Sequence, residues 1–352
     1  MNLPARYSLT ESSPSGGGMG DIHECIDNHL GRRVVLKMLK QDNEIRRLID
    51  EQRALIKLRS KHVVQLYDVI TVQDHATPKN ALVLEHISGE DLAVGSVEPG
   101  KPHVETLWQI ACGLVDIHCE GIIHRDLKPH NIRVNADGVV KILDFGLARN
   151  TGPDASTLNI IGTPGFMAPE LWSITGASFD QSIDVYAFGM TALALIDFPV
   201  PAELLERPPR PLRTDALSEL APDLPNDIIS LIEASLSTDP RKRPHMKEIE
   251  VALRRRLLYN RHRALLILGG KAHEINASTL NVTVRSGTLG AIGIRYDGFC
   301  FRVSGVTGAV SVNNSGIIAG ELLPDCCVIT FGDKMSGRSF VTFDVSNPEV
   351  VA

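Results

Sequence analysis

The feature that most restricts how this chain can fold is a polar segment near its middle, at residues 124–131. There the carboxylate of Asp126, the ammonium of Lys128 and the amide of Asn131 lie within six positions of one another. A further carboxylate, Asp144, follows thirteen residues after Asn131, at the end of an apolar run that predicts a buried strand. Phosphoryl transfer uses a carboxylate to accept a hydroxyl proton, a cation, and oxygen ligands for a divalent metal. The fold is therefore expected to bring these four side chains into one site.

Two features nearer the N-terminus indicate where an anion binds. Residues 15–20 read Ser-Gly-Gly-Gly-Met-Gly, and Lys37 ends the apolar run 34–36. A glycine-rich segment by itself is a weak signal, because glycines also serve ordinary turns. A lysine at the end of a buried strand needs an anion, and both a nucleotide phosphate and a carboxylate are candidates.

Taken in order, these segments resemble the signature motifs of Hanks-type (eukaryotic-like) serine/threonine protein kinases, of the kind found in bacteria. The chain also carries an Asp-Phe-Gly triplet at 144–146 and an Ala-Pro-Glu triplet at 168–170. Further on, Asp184 matches the aspartate of a buried helix, and Arg243 matches the arginine that pairs with the glutamate of the second triplet.

The resemblance implies an α+β fold with the two lobes of a protein kinase, followed by a small all-β sandwich. The kinase domain is placed at residues 1–260, with a β-rich N-lobe at about 5–87 and a helical C-lobe at about 88–256. The second domain is placed at residues 264–352.

The resemblance also implies a role for particular residues. It assigns nucleotide binding to the glycine loop, the strand lysine, its helical glutamate and the hinge, which are Gly17, Gly18, Gly20, Ile22, Lys37, Glu51, Glu85 and Ile87. It assigns catalysis to Asp126, Lys128 and Asn131, with Asn131 and Asp144 holding Mg²⁺. The implied cofactors are ATP and Mg²⁺, with Mn²⁺ as an alternative ion.

Smaller details indicate the class of substrate and a mode of regulation. Lys128 and Thr163 occupy positions that are typical of kinases acting on serine and threonine. Arg125 precedes Asp126, which is typical of kinases that are switched on by a phosphate in the activation segment. The candidate acceptors there are Thr151, Ser156, Thr157 and Thr163. For Ser156 and Thr157, a polar surface loop is an equally good interpretation.

The C-terminal part of the chain is less informative. Six short runs with strand composition, separated by turn residues, predict its β-structure: 281–284, 291–295, 299–303, 309–312, 328–331 and 340–345. It weakly resembles a forkhead-associated domain, which would imply a phosphopeptide partner, but the Ser-x-x-His motif of those domains is absent. An unrelated protein-binding β-domain and a module that packs on the kinase domain remain alternatives.

Charge and hydropathy exclude other classes. The chain carries 36 basic and 42 acidic residues, so it lacks the broad positive field that non-specific nucleic-acid binding needs. The arginine-rich run 254–263 is interpreted as a helix end and linker, because it is short and no second basic cluster supports it. No apolar run reaches the roughly 20 residues of a membrane span, and a cytoplasmic protein is expected.

The predicted function is transfer of the γ-phosphoryl group of MgATP to serine and threonine hydroxyls of proteins, with autophosphorylation of the activation segment. The alternative is a pseudokinase scaffold that acts through protein binding by its C-terminal domain. Two departures from the family pattern leave that alternative open. Ser15 stands where the first loop glycine is expected, and Val35 replaces an alanine over the nucleotide base.

Overall fold

The structure is a computed structural model that describes residues 1–10, 15–17, 20–38, 45–74, 77–150, 163–172, 179–213, 215–220, 224–335, 337–346 and 348–350. The chain divides into two compact units, Met1–Leu253 and Arg254–Val351. Each unit has its own apolar core. The kinase-like motifs lie in the first unit, and the predicted domain limits, 1–260 and 264–352, stay predictions.

The first unit begins with an antiparallel sheet and one helix. Its elements are β1 (Tyr7–Leu9), β2 (Ser15–Gly17), β3 (Gly20–Asp27), β4 (Arg32–Met38), α1 (Ile45–Lys57), β5 (Leu66–Asp74) and β6 (Thr77–Glu85). The strands run in the order β1-β3-β4-β6-β5, and β2 pairs with β3. Alternation along β4 sends Val34 and Leu36 into the core of the sheet. Lys37 consequently points to the opposite face, toward α1.

Helices dominate the rest of the first unit. Its elements are β7 (Gly89–Asp91), α2 (Lys101–Cys119), β8 (Ile122–Ile123), β9 (Ile132–Asn135), β10 (Val140–Ile142), β11 (Arg149–Asn150), α3 (Ser182–Leu195), α4 (Ala202–Leu205), α5 (Ala216–Leu220), α6 (Asn226–Ser235) and α7 (Met246–Leu257). Residues 254–257, at the end of α7, already belong to the second unit. Helix α3 is apolar on nearly every side and is buried along its length, as expected for the central helix of a helical lobe. The hairpin of β9 and β10 carries the segment that leads to Asp144.

The contact between α2 and α3 includes a buried histidine. His103 is fully buried, and its Nε2 donates to the carbonyl oxygen of Ala192 at 2.9 Å. Burial lowers the pKa of His103 from 6.5 to about 4, against the raising effect of that hydrogen bond. As the pH falls below 6.5, His103 therefore binds a proton in the unfolded chain. In the folded chain His103 stays neutral until about pH 4.

We expect acid to destabilise the first unit through His103. Between pH 7 and pH 5 the linkage amounts to about 2 kcal/mol of unfolding free energy, lost as the pH falls. Urea denaturation at the two pH values measures it. The variant His103→Gln keeps an amide donor but does not titrate, so its stability should change less over the same interval. An identical pH dependence in the variant would contradict the assignment.

The second unit is an antiparallel β-sandwich. Its strands are β12 (Arg263–Leu268), β13 (Lys271–Ile275), β14 (Asn281–Ser286), β15 (Gly290–Tyr296), β16 (Phe301–Gly308), β17 (Val310–Val312), β18 (Ser315–Gly316), β19 (Cys326–Phe331) and β20 (Ser339–Ser346). One sheet has the order β13-β12-β20-β19-β17-β18, and the other has the order β14-β15-β16. Side chains from both sheets, among them Leu266, Ile294 and Phe343, form one core.

The six predicted strand runs all overlap observed strands, and two of them begin before the observed strand: the run 309–312 corresponds to a strand that starts at Val310, and the run 299–303 is displaced further. The run predicted at 299–303 begins at Phe301, because the preceding residues form a turn. In that turn Asp297 Oδ1 accepts hydrogen bonds from the backbone nitrogens of Phe299 and Cys300, at 2.9 and 2.8 Å. The hairpin of β12 and β13 was not predicted from the sequence.

None of the helices in the described part of the chain has the length and apolarity needed to span a lipid bilayer.

Candidate functional site

Three charged side chains from distant parts of the first unit meet at the end of β4. Lys37 Nζ donates to Glu51 Oε1 at 2.8 Å and to Asp144 Oδ1 at 2.9 Å. Glu51 reaches the lysine because it shares the buried face of α1 with Leu48 and Leu55. The sequence predicted both the lysine–glutamate pair and a nearby aspartate, and the structure brings all three together.

Burial makes the charges of this triad depend on one another. Lys37 is 8% exposed and Glu51 only 2% exposed. Burial alone would lower the pKa of Lys37, but the two carboxylates raise it above its usual value. For Asp144, burial acts to raise the pKa, and the charge and hydrogen bond of Lys37 outweigh it and lower the pKa. Lysine and aspartate are therefore both ionised at neutral pH.

The catalytic-loop residues form a second cluster. Asp126 Oδ2 accepts hydrogen bonds from Lys128 Nζ at 2.8 Å and from Asn131 Nδ2 at 3.0 Å. The hydroxyl of Thr163 donates to Asp126 Oδ1 at 2.9 Å and accepts from Lys128 Nζ at 2.7 Å. The carboxylate is thus oriented from both sides, and Thr163 contacts both Asp126 and Lys128.

Asp184 of helix α3 binds the backbone of this loop. Asp184 Oδ2 accepts from the backbone nitrogen of His124 at 2.8 Å, and Oδ1 accepts from that of Arg125 at 2.8 Å. Arg125 has a φ of 72°, in the left-handed region, so these bonds stabilise a backbone conformation that a non-glycine residue rarely adopts. His118 Nε2 lies 2.9 Å from Asp184 Oδ2. The kinase resemblance matched Asp184 to the aspartate of a buried helix, but nothing in the sequence indicated His118 as its partner.

The aspartate that follows β10 is positioned in a similar way. Asp144 also has a positive φ, 58°, and its Oδ1 accepts from the backbone nitrogen of Gly146 at 3.2 Å. Phe145 is fully buried, and its ring lies edge-on to that of His124 with the centroids 4.9 Å apart. His124 Nε2 donates to the carbonyl oxygen of Leu143 at 2.9 Å. The two loops that carry Asp126 and Asp144 are therefore joined by packing and by hydrogen bonds.

The residues that the resemblance assigned to Mg²⁺ suit a hard cation. Asn131 uses its Nδ2 to donate to the backbone and side chain of Asp126, which leaves the amide oxygen as a donor to metal. Among the described residues, the polar contacts of Asp144 fall on Oδ1 and leave Oδ2 for a ligand. A carboxylate oxygen and an amide oxygen are ligands that Mg²⁺ prefers, so the residues present fit the ion.

Glu85 of the predicted hinge forms an ion pair with Lys141 that was not expected from the sequence. Glu85 Oε2 accepts hydrogen bonds from Lys141 Nζ at 2.9 Å and from the backbone nitrogen of Gln65 at 3.1 Å. Lys141 is 7% exposed, and Glu85 provides the carboxylate that pairs with this buried ammonium. The Glu85 side chain thus links the hinge to β10, and Ile87 beside it is buried. The sequence signal for this ion pair was Lys141 itself, because a lysine within a run of apolar strand residues needs a buried partner.

The remaining predicted site residues are placed as follows. Gly17 of β2 lies opposite Gly20 of β3, and Ile22 lies opposite Lys37. Gly18 is outside the described residues, as are the candidate phosphorylation sites Thr151, Ser156 and Thr157. Thr163, the fourth candidate phosphorylation site, lies within the described residues, and its hydroxyl donates to Asp126 Oδ1.

The Ala-Pro-Glu triplet is anchored as predicted. Arg243 Nη1 and Nη2 donate to the two carboxylate oxygens of Glu170, at 2.6 and 2.8 Å. Arg243 Nη1 also donates to the carbonyl oxygen of Ser182, at the start of α3, at 2.9 Å. Such bidentate, buried pairs fix geometry well, and this one fixes the end of the segment that carries Thr163.

Comparison with known proteins agrees with this geometry. The family model of the protein kinase domain matches residues 15–252. The serine/threonine-protein kinase pkn2 of Myxococcus xanthus is 33% identical over 269 residues, covering 69% of this chain and 31% of the relative. The serine/threonine-protein kinase PknA of Mycobacterium tuberculosis is 31% identical over 265 residues, covering 69% of this chain and 59% of the relative.

A human protein also has a similar sequence. Rhodopsin kinase GRK1 of Homo sapiens is 34% identical over 195 residues, covering 51% of this chain and 33% of the relative. The chain therefore spans less than two thirds of the length of each of these three relatives. The matched region contains both charged clusters and the hinge, and over residues 15–252 the chain belongs to the protein kinase domain family.

Proposed function

We propose that this chain is a serine/threonine protein kinase, which transfers the γ-phosphoryl group of MgATP to hydroxyl groups of proteins. The observation that carries the proposal is the pair of contacts that Lys37 makes with Glu51 and Asp144. A buried lysine between two carboxylates is costly to keep in a scaffold that handles no nucleotide. In a kinase the same lysine binds the α- and β-phosphates, and Glu51 orients it.

The second cluster supplies the groups for transfer. Asp126 orients the hydroxyl of the protein substrate and accepts its proton, because its carboxylate is held by Lys128, Asn131 and Thr163. Lys128 brings a positive charge to the side of the γ-phosphoryl group. Mg²⁺, held by Asn131 and Asp144, would neutralise charge on the phosphates.

The choice of serine and threonine rests on Thr163 and Lys128. The Thr163 hydroxyl bridges the Lys128 ammonium and the Asp126 carboxylate, so the substrate hydroxyl is presented to a carboxylate of fixed orientation. The names of the two bacterial relatives support the same class.

Incubation of the purified chain with γ-labelled ATP, Mg²⁺ and a mixture of serine- and threonine-containing proteins tests the proposal. We expect label on serine and threonine and none on tyrosine, with no transfer when EDTA removes the metal. A matched Lys37→Met preparation should transfer no label. Nucleotide binding without transfer by the unaltered chain would favour the alternative, a pseudokinase scaffold.

We also propose that the kinase phosphorylates its own activation segment, at Thr151, Ser156 or Thr157. Arg125 is 6% exposed beside Asp126, and its guanidinium stays charged at physiological pH. A phosphate on the nearby segment, with a charge of about −1.5 to −2, would pair with it and order the segment. Thr163 is the weakest acceptor, because its hydroxyl already bonds Asp126.

Autophosphorylation should be visible in the mass of the protein. We expect phosphate on at least one of Thr151, Ser156 and Thr157 in the active enzyme and none in an Asp126→Asn preparation. Phosphatase treatment should lower activity, and ATP should restore it after a lag. An unmodified segment in fully active enzyme would contradict this mode of regulation.

The hinge ion pair leads to a separate prediction about nucleotide affinity. In Lys141→Met, Glu85 loses its buried cation, and the hinge that carries Ile87 loses its link to β10. We expect the KM for ATP to rise about threefold to tenfold while kcat changes by less than about twofold. Lys141→Arg keeps the charge and should restore most of the affinity. A purely structural role would instead lower Tm in both variants and leave KM unchanged.

For the second unit, we propose a role in binding a protein partner. Its relation to forkhead-associated domains stays a prediction. The proposal is supported by the sandwich core, because all of its residues belong to this unit and the unit is therefore a separately packed domain.

A further inference from the structure

Three arginines of the second unit lie on one β-hairpin or against its turn, and we call them the arginine cluster: Arg255, Arg295 and Arg302. Arg295 ends β15 and Arg302 begins β16, and the two lie directly opposite each other in the hairpin. Both are exposed, while their neighbours Ile294 and Val303 are buried, so the two guanidinium groups share the outer face of the sheet. Arg295 and Arg302 therefore form a second basic group, in addition to the arginine-rich run 254–263.

The turn between β15 and β16 ties the third arginine to this pair. The Arg255 guanidinium carbon lies 4.6 Å from the centroid of the Phe299 ring, which belongs to the turn. The Phe299 ring in turn lies against that of Tyr259, with the centroids 4.9 Å apart. Asn260 N donates to the carbonyl oxygen of Gly298 at 2.8 Å. The basic run 254–263, which was interpreted as a helix end and linker, does contain the end of α7, and it is also packed on the hairpin.

Gly298 shows how close this packing is. Its φ is 94°, and a Cβ added there would lie 2.2 Å from Cε2 of Tyr259. Only glycine therefore allows the turn to approach the residues that follow α7. The position of Arg255 relative to the sheet is consequently fixed by backbone packing as well as by its contact with Phe299.

The cluster carries more positive charge than its surroundings neutralise. Like charges directly opposite in a hairpin destabilise it, so the Arg295–Arg302 pair has a cost. Among the described residues, no carboxylate lies within ion-pair distance of Arg255 or Arg295, whereas Arg302 Nε lies 3.5 Å from Asp297 Oδ2. Asp297 is also occupied by its own turn, since it accepts from Phe299 N, Cys300 N and Cys300 Sγ.

We propose that the arginine cluster is a docking surface for an acidic segment of a partner protein, one that is rich in aspartate and glutamate. Charge complementarity selects this occupant. Each guanidinium presents a planar set of N–H donors that matches a carboxylate, and two such groups on one face with a third at the turn of the same hairpin match several carboxylates along an extended segment.

Two other polyanions fit this surface less well. Nucleic-acid binding draws on stacking of bases on open aromatic faces, but the Phe299 ring already has the Arg255 guanidinium over it. It also draws on a broad positive field, and the chain has a net charge of −6. Anionic membranes attract segments with about four to eight clustered lysines and arginines, whereas this cluster has three arginines, held by a sheet and an aromatic ring.

Fluorescence anisotropy with the full-length chain tests the proposal, using a labelled peptide of alternating glutamate and serine as the probe. A peptide of alternating glutamine and serine, of equal length, is the uncharged control. We expect the acidic peptide to bind with a Kd in the micromolar range, and the affinity to fall as sodium chloride is raised, because exposed ion pairs are screened. The glutamine peptide should not bind.

The decisive variant is Arg295→Glu. It places a carboxylate opposite Arg302, so we expect Tm to stay the same or to rise while affinity for the acidic peptide falls by at least about tenfold. Arg285→Gln is the matched control. Arg285 is an exposed arginine of the same sheet that lies opposite Ala291, about 13 Å along β15 from Arg295. It should change the affinity by less than about twofold.

Four results would overturn the proposal. The first is equal affinity of the unaltered chain for the acidic peptide and the glutamine peptide. Arg285→Gln could weaken binding as much as Arg295→Glu does, which would show a diffuse charge effect. Single-stranded DNA or vesicles of anionic lipid could displace the acidic peptide at lower charge concentration than unlabelled peptide does, which would identify a different class of partner. Retained affinity in Arg295→Glu, with Tm unchanged, would equally exclude the cluster.

Discussion

Replacing Asp126 by asparagine should lower kcat by at least about a hundredfold while leaving the fold and the affinity for ATP in place. The carboxylate accepts hydrogen bonds on both oxygens, from Thr163 and from Lys128. An amide has one acceptor oxygen only, and its NH₂ group would face either the threonine hydroxyl or the lysine ammonium. The variant therefore loses both the proton acceptor and the group that orients the substrate hydroxyl.

The measurement compares turnover with nucleotide binding in the same preparation. Steady-state phosphate transfer to a protein substrate gives kcat, and the rise in Tm with MgATP reports affinity. Asp137→Asn is the matched control, because Asp137 is exposed at the turn between β9 and β10. It should be fully active. Full activity of Asp126→Asn would mean that Asp126 is not the group that handles the substrate proton.

Removing the charge of Asp144 should abolish the stabilisation that Mg²⁺ adds to nucleotide binding. The carboxylate is the one charged metal ligand predicted from the sequence, and an amide binds Mg²⁺ far more weakly. Because Asp144 has a φ of 58°, alanine there would strain the backbone, whereas asparagine tolerates the left-handed region. Asp144→Asn thus separates loss of the metal from loss of the fold, and Asp144→Ala should lose the metal as well.

Thermal unfolding with ATP, in Mg²⁺ and in EDTA, measures this effect. In the unaltered chain the difference between the two conditions follows from the tighter binding of MgATP, at about 1.4 kcal/mol for each tenfold in affinity. In Asp144→Asn we expect that difference to vanish, whereas Asp137→Asn should keep it. An undiminished Mg²⁺-dependent shift in Asp144→Asn would remove Asp144 from the metal site.

The chemistry of the site could be predicted from the sequence because most of its groups are close in the chain or belong to motifs of fixed spacing. Asp126, Lys128 and Asn131 lie on one short loop, so local geometry alone keeps them together. Glu51 was implied by the kinase resemblance, and the structure gives the physical reason for its position, since it shares the buried face of α1 with Leu48 and Leu55.

Contacts between residues that do not belong to a common sequence motif could not be predicted from the sequence. Lys141 and Glu85 lie 56 residues apart, and only the packing of β10 beneath the hinge makes them an ion pair. His118 lies 66 residues before Asp184, and neither residue type nor spacing marks it as a partner of that buried carboxylate. In both cases a buried charge required a partner, but burial itself is a property of the folded chain.

The same division holds in the second unit. By itself the sequence determined that a kinase domain is followed by strands, because motif order and the alternation of apolar residues are local properties of the chain. Strand register is not local. Hairpin pairing placed Arg295 opposite Arg302, and the turn at Gly298 brought the hairpin against the residues after α7. A basic run that read as a linker became part of a charged surface only once tertiary packing had set which side chains share a face.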